Sequence, residues 1–163
     1  QTCFLHRQAS FYQANWAAAK KDVKVAEDGD VFAFYLPGKD SSTKPLLGGG
    51  EFVAAFRQAP EVQAFQAYLT SAEWSNNKAK ATPDGGWLSA NSGLDEANLV
   101  KPIDKLSHKL LTDKGVVFRF DGSDLMPSAV GAGTFWKGMT DWVSLNKSSA
   151  DVAAAIDASW PKS

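Results

Sequence analysis

Apolar positions along the chain follow two patterns, short unbroken runs and stretches with helical spacing. Residues 2–5 form a short apolar, β-prone run, and a polar turn follows over 6–10. The spacing predicts a helix over 11–20, with Ser10 as its N-cap and Trp16 inside it. Residues 20–30 are charged and turn-rich. Residues 31–36 are a continuous apolar run of strand length, ended by Pro37-Gly38. After a polar loop over 39–44, Leu46-Leu47, the triple glycine Gly48 to Gly50 and the run 52–56 predict a strand with an irregular centre.

Pro60 opens the next helix, in the first-turn position where its missing N–H costs nothing. Val62, Phe65 and Leu69 recur on one face, and Trp74 extends it. Residues 76–86 read as a breaker-rich stretch, and 79–93 as the best candidate boundary. Leu99, Ile103, Leu106 and Leu110 mark a helix over 94–112, with Pro102 as a kink or restart. A strand is predicted over 116–120 and a loop over 121–133. Phe135, Met139, Trp142 and Val143 lie on one stripe of a helix over 134–145. Ser148 with Asp151 three residues on resembles a capping box, opening a last helix that buries Val152, Ile156 and Trp160. Alternating strands and helices make the class α/β.

Composition narrows the function. With 163 residues, 44% hydrophobic and 21% charged, the chain is long enough for a core and is neither disordered nor strongly charged. A net charge of -1 creates no field that would gather nucleic acid or an anionic membrane. The apolar runs are far shorter than the roughly 20 residues a spanning helix needs. The single cysteine, Cys3, can form no internal disulfide, and no Cys/His cluster has metal-ligand spacing, so neither metal nor cofactor is expected. The chain starts at Gln1 inside what reads as a strand, so it is expected to be cut from a longer protein.

Tests for catalytic motifs are largely negative. Gly131-Ala132-Gly133 is followed at 136 by Trp136, so the dinucleotide fingerprint fails. Gly48 to Gly50 is not followed by a Lys-Ser/Thr pair, and no GxSxG elbow exists. His6 and His108 stand with no Ser or Cys nucleophile in any known catalytic order and read as surface or supporting groups. Asp121, Asp124 and Glu51 are the carboxylates a glycosidase would need, but spacing alone does not pair them. Asp121 reads equally as the cap of a turn, paired with Arg119. The Asn146-Lys147-Ser148 sequon is read as chance.

The aromatic content is more informative. Six tryptophans are many for this length. Flat rings bind sugars by stacking on their C–H faces while polar groups take the hydroxyls. Trp142 sits on the apolar stripe and reads as core. Trp74 and Trp160 end helices and read as packing anchors. Trp136, in a first turn just after a glycine-rich loop, and Trp87, in a loop after Gly85-Gly86, are the candidate ligand contacts.

Three stretches carry a resemblance. The first is Cys3-Phe4-Leu5-His6-Arg7-Gln8-Ala9-Ser10-Phe11. The second is Lys44-Pro45-Leu46-Leu47-Gly48-Gly49-Gly50. The third runs from Phe118-Arg119-Phe120-Asp121 through Ser123-Asp124-Leu125-Met126-Pro127 to Gly131-Ala132-Gly133-Thr134-Phe135-Trp136-Lys137-Gly138-Met139. Together they resemble extracellular solute-binding proteins of bacterial ABC sugar importers, of the maltose/α-glucoside type, over nearly the whole chain. The last motif is the most specific.

The resemblance implies a periplasmic-binding-protein type II fold, maltose-binding-like, of which residues 1–163 are a carboxy-terminal part. Residues 1–37 and 87–163 would form most of the carboxy-terminal lobe. Residues 44–82 would belong to the amino-terminal lobe, and the strands 31–37 and 44–50 would cross between lobes. Such proteins do no chemistry: they close over a sugar and dock on permease subunits, in the periplasm or outside the cell, with a lipid anchor as one option. The resemblance implies Trp136 stacking on a sugar ring, Arg7 and Gln8 hydrogen-bonding to it, Gly49 and Gly50 letting backbone approach, Trp87 lining the cleft, and Glu51 as a weaker candidate. With half of the cleft elsewhere, the fragment would dimerise, swap elements or rearrange. A carbohydrate-active enzyme and a stand-alone carbohydrate-binding module remain the alternatives.

Overall fold

A computed structural model describes residues 4–40 and 42–162. Cys3 and half of the expected first strand (Thr2 and Cys3) lie outside these. Within them, Phe4 and Leu5 belong to no strand. The elements are helices α1 (Gln13–Ala19), α2 (Pro60–Leu69), α3 (Ala72–Ala81), α4 (Pro102–Thr112), α5 (Trp136–Leu145) and α6 (Ser149–Ala158), with strands β1 (Lys44–Gly48) and β2 (Val116–Phe120). The architecture is mixed helix and strand, and no described helix is long and apolar enough to cross a membrane.

The chain divides into two compact units. The first comprises Gln1–Leu46 and Gly50–Phe118, the second Leu47–Gly49 and Arg119–Ser163. The division cuts through both strands and not through 79–93, where the boundary was expected. That stretch is built into the first unit instead. Ala79 on α3 joins Leu94 and Leu99 in its core, with Trp87 and Leu88 packed against them. β1 and β2 pair as one two-stranded sheet. Lys44, at the start of β1, bonds Asp113 just before β2 at 2.7 Å, and Gly48 at its end accepts from Asp121 N just after β2 at 2.8 Å. The strands therefore run in the same direction, which requires the long helical connection between them.

Several elements differ from expectation, each for a local reason. The first helix is entered through a 3-10 turn over Ser10–Tyr12, and neither start carries a side-chain cap, so Ser10 is not the N-cap. The run 31–36 is not a strand: only Val31 makes an isolated bridge, to Val25. Phe32 and Phe34 stack at 6.0 Å, as side chains two apart on extended backbone do, but among the described residues no neighbouring strand completes a ladder. The strand expected over 46–56 ends at Gly48.

Trp74 does not extend the face of α2. Thr70 and Ser71 end that helix, and the Ser71 hydroxyl accepts from Trp74 N at 3.1 Å, opening α3. Residues 76–81, expected to break, therefore continue a helix. The Asn76 side chain ties it to the loop beyond, donating to Gly93 O and accepting from Asp95 N and Asn98 Nδ2. The helix expected over 94–112 begins only at Pro102, the first residue of α4, with no more than a 3-10 turn over Glu96–Asn98 before it. Of the two histidines, His6 packs edge-on to Tyr12, and His108 keeps a buried Nδ1 with no hydrogen-bond partner among the described residues.

Candidate functional site

The second unit carries the most specific motif. Asp121 Oδ1 accepts from Ser123 N and Oγ, both at 2.9 Å, and so caps a 3-10 turn over Gly122–Leu125. The expected capping role of Asp121 is met, but the loop expected over 121–133 is not. Its second half is a π-helix over Ala129–Phe135 with Val130 fully buried. A Cβ on Gly131 would lie 3.0 Å from Ser123 O and 3.1 Å from the Met126 Cβ, so glycine lets this wide turn sit directly on the capped one. Trp136 begins α5 on that base and is 73% exposed. A ring of that size left in solvent on firm backbone is available for stacking. Gly49 belongs to the same unit, with the position of its absent Cβ 3.1 Å from Asp124 Oδ2.

The rest of that helix face is also open. Trp142 is 45% exposed and Val143 is exposed with it, so Trp142 is not core as expected. Met139 and Trp142 instead border an apolar groove of about 320 Å³ with Val152, Ala153 and Ile156. Trp160 lies beyond the end of α6 and is exposed. Asp141 is buried between two cations, Lys137 Nζ at 2.8 Å and Lys147 Nζ at 2.9 Å, which hold its carboxyl below the usual range.

The remaining candidates belong to the first unit. Arg7 and Gln8 are exposed ahead of the Ser10–Tyr12 turn, and Gln8 Oε1 accepts from Ala9 N at 2.9 Å. Gly50 and Glu51 are exposed, and nothing lies within 4 Å of where a Gly50 Cβ would be. Trp87 is half-buried: it meets Trp74 edge-on at 5.4 Å and packs on the core. Gly85 and Gly86, both at positive φ, turn the chain so that this ring points inward, where an open loop was expected. A separate cleft of about 300 Å³, bordered by Val25, Phe32, Phe34, Ile103 and Leu106, includes none of the candidates.

Sequence reasoning passed over Asp104 and Gln13. Asp104 is buried in the first turn of α4, its oxygens taken by Gln13 Nε2 at 2.8 Å and Gly86 N at 3.1 and 3.2 Å. Burial, the dominant influence, raises its carboxyl above the ordinary value. The one available signal was Gly85-Gly86, which marks unusual backbone but names no partner. Among the described residues no cluster of three or more His, Cys, Asp or Glu could hold a metal.

Two curated proteins match nearly the whole chain. The osmoprotective compounds-binding protein GgtB of Synechocystis sp. is 36% identical over 162 residues, 98% of this chain and 36% of its own length. The alpha-glucosides-binding periplasmic protein AglE of Rhizobium meliloti is 38% identical over 170 residues, 97% of this chain and 33% of its own. Over these residues the chain is similar to both solute-binding proteins. It spans about a third of the length of the relatives it matches. No protein-family model matches it, and no solved structure does.

Proposed function

We propose that this chain is part of a receptor that recognises a sugar, an α-glucoside or another oligosaccharide, for uptake by a bacterial ABC importer. The observation that carries this is Trp136, exposed on a glycine-packed base inside the motif that resembles the family most closely. The names of the two relatives, one binding α-glucosides and one osmoprotective compounds, support it. The receptor itself performs no chemistry. It has the type II fold, with 1–37 and 87–163 in the carboxy-terminal lobe and 44–82 in the amino-terminal one. It works in the periplasm or at the cell surface, with or without a lipid anchor, and hands its ligand to the permease.

In this reading Trp136 stacks on a sugar ring, and Arg7 and Gln8 bond its hydroxyls. Gly49 and Gly50 admit the ligand to backbone, Trp87 borders the cleft from its place on the core, and Glu51 sits at its edge. The chain taken alone associates with itself. Calorimetric titration of the full-length protein with sucrose, trehalose and maltose tests the reading. Binding is expected for at least one of them, with Trp136→Ala weakening it by about 2 kcal/mol or more, the scale of a buried aromatic anchor. No binding of any α-glucoside or other oligosaccharide would overturn it.

A further inference from the structure

Asp104 joins two segments that lie far apart in the sequence and that both carry candidate ligand contacts. It is 1% exposed, in the first turn of α4. Its Oδ1 accepts from Gln13 Nε2 at 2.8 Å, which fastens the helix that follows Arg7 and Gln8. Both of its oxygens accept from Gly86 N, at 3.2 and 3.1 Å, which fastens the residue before Trp87. The fit is close on the loop side. A Cβ on Gly85, at φ +75, would lie 2.3 Å from Asp104 Oδ2 and 2.6 Å from Lys101 Cγ. On the other side, the missing Cβ of Gly86 faces Phe11 Cα at 3.6 Å, so the loop touches the start of the first helical segment directly.

The chemistry of this carboxylate is unusual for a purely structural group. Burying a charge is costly unless it is paired or fully hydrogen-bonded. Among the described residues Asp104 forms no ion pair, unlike Asp141, although the Lys101 charge acts on it. Neutral donors satisfy it instead, one from each of two segments, and a backbone N–H has a fixed direction. An apolar residue would fill the same space more cheaply but would orient neither segment. The carboxylate therefore converts burial into geometry.

We infer that Asp104 is a positioning residue of the solute site, locking the loop that carries Trp87 against the helix that follows Arg7 and Gln8 so that both present their contacts in one arrangement. This rests on the receptor reading.

The test is calorimetric titration of the full-length protein with sucrose, trehalose and maltose, for the native form and for Asp104→Ala, Asp104→Asn, Gln13→Leu and Gly85→Ala. Titration separates two outcomes: misfolding lowers the fitted stoichiometry, while mispositioning raises Kd in the molecules that remain competent. Asp104→Ala and Gly85→Ala are expected to raise Kd about tenfold or more, since small displacements of contact groups have effects of that size. Asp104→Asn is expected to fall between Asp104→Ala and the native protein. Its amide oxygen can still accept from Gln13 and Gly86, while its NH2 would oppose the Gly86 N–H. Gln13→Leu and Gly85→Ala keep the carboxylate and so carry the test if Asp104→Ala does not fold. A Kd within twofold of native in both, with or without lost stoichiometry, would overturn the inference and leave the receptor reading intact. A native protein that folds normally and binds no α-glucoside or other oligosaccharide would overturn both.

Discussion

At the scale of residues, two buried aspartates show opposite electrostatic settings. Asp141 gains from its neighbours: Lys137 and Lys147 lower its carboxyl from the ordinary 3.8. The native state therefore holds this proton less tightly than the unfolded chain does. Its contribution is fully present above about pH 3.8 and is lost as the pH falls through the lower native value. Asp141→Asn should lower the urea midpoint at pH 7, and the gap to the native protein should close below pH 3.8, which parallel unfolding curves would show. Asp104 has the reverse sign. Burial raises its carboxyl, so its contribution declines as the pH rises from 3.8 through the higher native value. One carboxylate locks the turn after α5, where Asn146 takes left-handed φ 55 and Lys147 returns to the ion pair. The other holds a loop by neutral donors alone.

At the scale of elements, helix starts were the most legible feature, because they depend on residues within one turn. Pro60 and Ser148 each open a helix where expected, while Pro102 opens one that was expected to begin at 94. Ser148 accepts from Asp151 N at 3.1 Å and donates to its carboxylate at 2.7 Å, so Ser148→Ala should cost about 1 kcal/mol, readable by urea unfolding. The start at Ser71 carries the same kind of signal but was masked by an apolar periodicity running through it. Strands were less legible, since they depend on a partner. The runs 116–120 and 31–36 have similar β-branched and aromatic character, yet among the described residues the first pairs along a strand and the second makes a single bridge at Val31. The π-helix has no period of its own to recognise, and its glycines read equally well as a loop. In the candidate site, the exposure of Trp136 followed from its place after those glycines. The inward turn of Trp87 did not, because backbone φ at Gly85 and Gly86, and not loop membership, sets where that ring points.

At the scale of the whole molecule, much apolar surface faces solvent. Phe56 is 99% exposed, and Phe34 and Leu36 are exposed by 57% and 58%. Surfaces of this kind usually meet another protein. The 163-residue chain by itself is expected to sediment increasingly as a dimer as its concentration rises. Phe34→Ser with Phe56→Ser should return it toward a monomer. A chain that remains monomeric throughout the concentration series would count against self-association.

The three residues Leu47–Gly49 belong to a unit whose other part begins at Arg119. On a ribosome, this tripeptide emerges some seventy residues before the rest of its unit exists. All residues assigned to the first unit are out once Phe118 is, while those of the second continue to Ser163. Order of birth and order of assembly therefore diverge: an early piece must be held in reserve, paired to nothing of its own, until Arg119–Ser163 arrives to claim it.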